Sequence, residues 1–336
     1  MSDGAEAASR IAGSVPAART LALAAAVVAI AALPMVLTGT YWHTNLTLCA
    51  INVLLALGLD FILGYAGQLN LGQSAFYGIG AYASTLLVMN GGVPFWAAFA
   101  VAVAASGLAG LTLALFAVRL RGHYLAIASL GFAVITYQVL LNWIDLTQGP
   151  LGIYAIPAPP PLALPGVPEI AFGDPGALFY LVSGFALVTY VVLDRLVRSP
   201  VGEALAAIRE DEVSAAALGI NAARWKAFAF ATGAAVAGAA GAFYAPFVGT
   251  LVPDAFTVTE SFTVLAMVIV GGSGTLSGPV CGAIVLTLAP ELLRAAGDWR
   301  LVFYGLALTL AVMFMPGGLA QAARSVRARL RGGAAP

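Results

Sequence analysis

Few side chains in this sequence can do chemistry, and their types favour binding over bond-making. Asp60 lies with Asn52 in the apolar run Thr47 to Leu63. An acid inside a membrane span is costly and is a functional candidate by default. It also stands one turn before Gly64, where it could simply cap a helix end or lie near the interface. The next stretch, Gly64 to Tyr82, reads GYAGQLNLGQSAFYGIGAY and carries the uncharged polar side chains Gln68, Asn70, Gln73 and Ser74. A second glycine-rich stretch, GGSGTLSGP from Gly271 to Pro279, carries Ser273 and Thr275. Amides and hydroxyls suit a polar neutral or zwitterionic solute, because they bind both ends without committing a charge.

Catalytic patterns are missing. His123 is a lone histidine near Arg119 and Arg121, with no second histidine or carboxylate placed as a metal partner. Cys49 and Cys281 lie far apart in apolar runs and form neither a metal pattern nor a disulfide framework. The only lysine, Lys226, follows Trp225 and precedes Ala227, so the Gly-Lys-Ser/Thr of a phosphate-binding loop is absent. This chain is therefore not its own P-loop ATPase.

The longest charged island is Ser199 to Lys226, SPVGEALAAIREDEVSAAALGINAARWK. At 100° per residue, Val201, Leu205, Ile208 and Ala215 share one face, and Glu203 and Glu210 face away. Glu212 falls on the apolar stripe, where it needs a partner or a helix break. Gly219 is a natural helix stop and Asn221 a natural cap for the next helix. The island thus reads as one or two short amphipathic helices under a membrane. Its mixed charge argues against a helix that simply lies on lipid.

The elements that must position these residues are membrane helices. Of 336 residues, 61% are hydrophobic and only 9% charged, and the mean hydropathy is +0.96. A soluble domain carries about 25% charged residues. The expected fold class is all-α: a polytopic integral membrane protein with about ten transmembrane or re-entrant helices. The charges follow topology and give no basis for a nucleic-acid partner; lipid is the surrounding partner. The expected spans start with Leu21 to Leu37, after a short disordered tail over 1–20. They continue over 47–63, to Met89, 95–118, 123–141, 176–193, 227–248, from Ser261, 280–293 and 301–315. A secretory signal is the rival reading of 21–37; the run is long for a signal core and no clean cleavage site follows.

Arginines set the sidedness. Arg119 and Arg121, the loop 194–226 and the basic tail 320–336 lie inside, so both termini are cytoplasmic. Asn142 to Pro175 has eight of the eighteen prolines and no Lys or Arg, which makes it an outer cap or docking surface. Residues 21–319 form the membrane domain between the two tails. Gly233, Ala237 and Gly241 give the span 227–248 a small-residue packing face. Glycine breaks in both halves point to a discontinuous path through the membrane. The glycines and amides of 64–82 equally fit close packing and hydrogen bonding between helices.

Five motifs, in order and across nearly the whole chain, resemble those of the permease subunits of ABC importers for branched-chain amino acids, in particular the LivM type. They are Gly64–Tyr82, RGHYLAIASLGF (Arg121–Phe132), SPVGEALAAIREDEVSAAALGIN (Ser199–Asn221), GGSGTLSGPVCGA (Gly271–Ala283) and FMPGGL (Phe314–Leu319). RGHYLA favours the LivM type over its sister permease. Gln148 stands where the family often has Gly, and Met315 where Arg is common.

The resemblance implies a complex with a sister LivH-type permease, two cytoplasmic ATPase subunits and a periplasmic solute-binding protein that delivers an amino acid, in the bacterial inner membrane. It implies a non-catalytic subunit without a cofactor of its own; ATP and Mg2+ are used by the partner ATPases. The cytoplasmic loop resembles an EAA-type coupling loop, with Glu203, Ala204 and Gly219 in the expected places, and Glu203, Arg209 and Glu210 are the expected ATPase contacts. Gln68, Asn70, Gln73, Ser74, Ser273 and Thr275 are the expected path residues. An ion-coupled secondary transporter, a permease for amides or urea, and a membrane enzyme or scaffold are the alternatives.

Overall fold

In the computed structural model, described residues are 39–117, 123–161 and 172–292, with a few isolated positions outside them. The 1–20 tail, most of the first expected span, Arg119 and Arg121, the expected tenth span with its FMPGGL motif, and the basic tail fall outside the described residues.

Small residues put one helix at the centre. It spans Ala222–Val248 and is buried along Gly233, Ala237, Gly238 and Gly241. Three helices pack on it: α1 (Thr40–Asp60), α2 (Gln73–Met89) and α3 (Phe95–Ala117). The approach is backbone to backbone. A Cβ on Gly58 of α1 would stand 2.7 Å from the carbonyl oxygen of Gly233. One on Gly80 of α2 would overlap the backbone of Gly238, and one on Gly241 that of Tyr77. Lipid provides no hydrophobic drive between helices, so such close contact is what holds them together. The small-residue face read from the sequence is this packing surface.

The remaining elements follow in chain order. α4 is His123–Asn142, α5 the single turn Ile144–Thr147, and α6 Pro175–Val197. α7 (Pro200–Glu210) and α8 (Glu212–Ala217) lead into the central helix, α9. α10 (Val258–Gly271) and α11 (Ser277–Leu292) complete the described bundle. Among the described residues, five helices are long and apolar enough to cross a membrane, within Thr40–Tyr65, Phe95–Phe116, Tyr124–Asn142, Gly176–Val197 and Ala222–Val248. Two begin earlier than expected, at Thr40 and Ala222. Thr44 and Thr47 bond back to carbonyls one turn earlier, and Asn221 caps α9, so polar residues extend both helices.

The proline-rich segment is tied by a feature the sequence did not suggest. Ile153–Tyr154 pairs antiparallel with Thr250–Leu251, and Ile156 N donates to Gly249 O at 3.2 Å. This two-stranded ladder fastens the proline-rich segment to the loop after α9. Phe99, Phe185 and Phe243 pack α3, α6 and α9 together, with centroids 4.8–5.3 Å apart.

Candidate coupling and permeation site

α1 ends in a π-turn, Phe61–Tyr65, and the chain then unwinds over 66–72 before α2 begins. The start of α2 lies well above the end of α1. Gln73 Nε2 donates to the carbonyl of Leu55 at 3.2 Å. Leu55 precedes Tyr65 by ten residues, which is about 15 Å of helix. Ser74 N donates to Ser261 Oγ at 2.9 Å, and Ser261 likewise precedes Gly271 by ten residues. The unwound segment therefore runs back along α1, and α2 starts level with Leu55 rather than at the end of α1. Unwound backbone there needs protein partners. Asn70 Oδ1 accepts from Gly72 N, and Ser129 Oγ from Leu71 N, both at 2.9 Å.

The amides provide those partners. Asn70, Gln73 and Ser74 are buried. Asn70 Nδ2 donates to Gln73 Oε1 at 3.1 Å, and Ser261 Oγ to Ser74 Oγ at 2.8 Å. Gln68 is half-buried and bonds to the Ala66 carbonyl. Ser273 is exposed, and Thr275 Oγ1 donates to Gly272 O. In this conformation the amides of the first break are engaged by the protein itself.

The second break, Gly272–Leu276 between α10 and α11, meets the end of α1. Gly274 N donates to Asp60 Oδ1 at 2.8 Å. Asp60 is fully buried, and a Cβ on Gly64 would overlap its carboxylate. Asp60 thus lies at the end of α1, inside the bundle, and joins the two glycine breaks. Sequence reasoning singled it out but could not supply this partner, which lies 214 residues away. The one local signal was the Asp60–Gly64 spacing of a single helical turn.

Beneath these breaks lies the helix pair α7–α8. Ser199 Oγ accepts from Val201 N, and Pro200 opens α7. Leu205, Ile208 and Ala215 are buried, as the periodicity predicts, and Glu203 and Glu210 are exposed. Leu205 shares a small core with Leu57, Phe61, Leu193, Ala229 and Leu276, so α7 rests on the ends of α1 and α6 and on the second break. Glu212 gains both a break and a partner. Asp211 is extended and caps α8, and Lys226 Nζ lies 2.7 Å from Glu212 Oε2. The Ser214 hydroxyl and the Val213 N–H hold the Asp211 carboxyl below its ordinary value. Gly219 has φ +83° and is open to its surroundings, and Asn221 Oδ1 accepts from Arg224 N at 3.1 Å. Ala204 is buried against the bundle.

Arg209 is exposed on α7 like Glu203 and Glu210, but it also reaches back to the bundle. Its Nη1 donates to the carbonyl of Gly64. Its stem covers Gly67, and its guanidinium lies over Gly274, where a Cβ would come within 2.8 Å of Nη1. Helix periodicity could not reveal this, because a long side chain can turn back to a backbone carbonyl.

Among the described residues no group of acids, histidines or cysteines could hold a metal ion. Long apolar helices interrupted by two buried glycine breaks define a polytopic membrane protein. Sequence comparison gives the family. Residues 41–315 match the permease component of branched-chain amino acid transport systems, and the chain belongs to that family.

Among curated relatives, it is 37% identical over 306 residues to the high-affinity branched-chain amino acid transport system permease protein LivM of Escherichia coli K12. That alignment covers 86% of this chain and 72% of the relative. LivM of Salmonella typhimurium is also 37% identical, over 81% of this chain and 68% of the relative. The permease protein LivH of E. coli K12 is 27% identical, over 82% and 92%. No solved structure matches the chain significantly. The resemblance to the LivM type therefore holds, and no enzyme family is indicated.

Proposed function

We propose that this chain is the LivM-type permease subunit of an ATP-driven importer of branched-chain amino acids. In this reading it pairs with a LivH-type permease. Two cytoplasmic ATPases drive it, and a periplasmic binding protein delivers the solute. The chain lies in the bacterial inner membrane with both termini inside. The observation that carries the reading is the α7–α8 pair. It docks on the bundle through Leu205 and Ile208 and leaves Glu203 and Glu210 free for a soluble partner. An ATPase that pushes this pair would act directly on the ends of α1 and α6 and on the second break.

The solute path is proposed along the unwound segment 66–72 and the turn 272–276. Asn70, Gln73 and Ser74 bond to one another and to neighbouring helices here. They would become available when α2 moves.

An ion-coupled carrier is a second reading, favoured by one observation. Asp60 is a buried acid whose Oδ2 has no hydrogen-bond partner among the described residues.

Labelled leucine uptake into proteoliposomes holding the chain, its sister permease, ATPases and binding protein separates the two. Uptake that needs ATP and the binding protein supports the importer. Uptake that persists without ATPases and collapses with the ion gradient supports the carrier.

A further inference from the structure

Arg209 is the one side chain of α7 shown bonding to a glycine break. Its guanidinium donates to Gly64 O, at the end of the first membrane-spanning helix. The same guanidinium lies over Gly274, in the second break. Gly274 N in turn donates to Asp60 Oδ1. Three parts of the chain far apart in sequence thus converge on one polar node. Glycine is required at both breaks: a side chain at Gly64 would strike Asp60, and one at Gly274, where φ is +77°, would strike Arg209. The node sits beside the apolar contact of Leu205 with Phe61 and Leu276, so the helix and the breaks are coupled by both packing and charge.

We infer that Arg209 is a positioning residue that ties displacement of α7 to both glycine breaks at once, through Gly64 O on one side and the Gly274–Asp60 pair on the other. The inference rests on the importer reading and deepens it. Arg209 acts inside the permease, and Glu203 and Glu210 meet the motor. A charge-assisted hydrogen bond to a backbone carbonyl transmits a pull without needing a fixed side-chain partner. Two breaks held by one guanidinium would rearrange together.

The test uses the reconstituted complex of permeases, ATPases and binding protein. Arg209→Met, Arg209→Gln, Asp60→Asn and the double variant Arg209→Met/Asp60→Asn are compared for ATPase capture, ATP hydrolysis and leucine taken up per ATP. Arg209→Met is expected to keep ATPase capture and hydrolysis and to lose about tenfold in leucine per ATP, in line with loss of one charge-assisted hydrogen bond. The double variant is expected to be no worse than Arg209→Met, because both residues act through one node.

An unchanged ratio in Arg209→Met overturns the proposal. So does loss of ATPase capture, which would make Arg209 a motor contact. Should Arg209→Met fail to assemble, Arg209→Gln decides: it keeps a donor for Gly64 O but no charge, and a wild-type ratio there overturns the proposal. Failure of the unsubstituted complex to capture ATPases overturns the importer reading and the proposal together. A loss confined to the ratio in the variants supports the proposal.

Discussion

Lys226 Nζ and Glu212 Oε2 lie 2.7 Å apart across the junction of α8 and α9, and the lysine side chain is only 9% exposed against 30% for the glutamate. The only lysine of the chain is thus used to satisfy the one acid that falls on the apolar stripe of the surface helices. Removing either partner should not have the same effect. Glu212→Gln strands a buried ammonium, whereas Lys226→Met replaces it with an apolar side chain of similar length. We expect Glu212→Gln to destabilise the protein by about 1–3 kcal/mol and Lys226→Met by less. Thermal unfolding of the purified protein in detergent measures both; equal losses would refute the asymmetry.

The glycine contacts of α9 predict a sharp contrast between two substitutions in other helices. Gly80→Ala forces a methyl into the backbone of Gly238, whereas Gly131 of α4 has nothing within 4 Å of its ideal Cβ. Gly80→Ala should cost roughly 1–3 kcal/mol or abolish assembly, the usual range for overpacking. Gly131→Ala should be neutral or slightly stabilising. Melting temperatures of the two variants in the same detergent provide the comparison.

Asp211 should make the surface helices sensitive to acid. Its carboxyl is held below the ordinary value by Ser214 and Val213 N–H. A folded-state value below the unfolded one means that the cap stabilises fully above the unfolded carboxylate value of about 4. That contribution disappears as pH falls through the lower folded value. Amide hydrogen exchange across α8, corrected for its intrinsic pH dependence, should show protection lost over that acidic window. Asp211→Asn, which keeps an acceptor without the charge, should show no such step.

Glu203 is exposed on α7 and takes no part in its packing. Glu203→Lys should leave membrane assembly intact and weaken ATPase capture roughly tenfold, with a matching fall in stimulated hydrolysis, as expected when a charge at an interface is reversed. Normal stimulated hydrolysis in a well-assembled variant would remove Glu203 from the motor interface.

Asn70 links the unwound segment to the start of α2, accepting from Gly72 N and donating to Gln73. Asn70→Ala leaves the buried Gly72 N–H without that acceptor, at a cost of about 1–3 kcal/mol. Leucine uptake should fall more than the protein's abundance in the membrane does. Uptake that merely follows abundance would make the amide structural alone.

Composition and periodicity were enough for the membrane class, the small-residue face of α9 and the amphipathic stripe of α7. Each depends on residues close together in sequence, which one helix brings to one face. The cap at Asn221 and the stop at Gly219 were legible for the same reason: a helix end is satisfied by its own neighbours. The family, too, was legible, because its motifs are contiguous.

Tertiary structure alone decided where Asp60, Gly274 and Arg209 meet, and that α2 starts level with Leu55 of α1. It also decided that Lys226 answers Glu212, and that a strand pair ties the proline-rich segment to the loop after α9. These depend on partners that no local period can specify. In a bundle held by close backbone contact, the height at which two helices cross sets which buried polar groups find each other, and that height follows from the packing of the whole set.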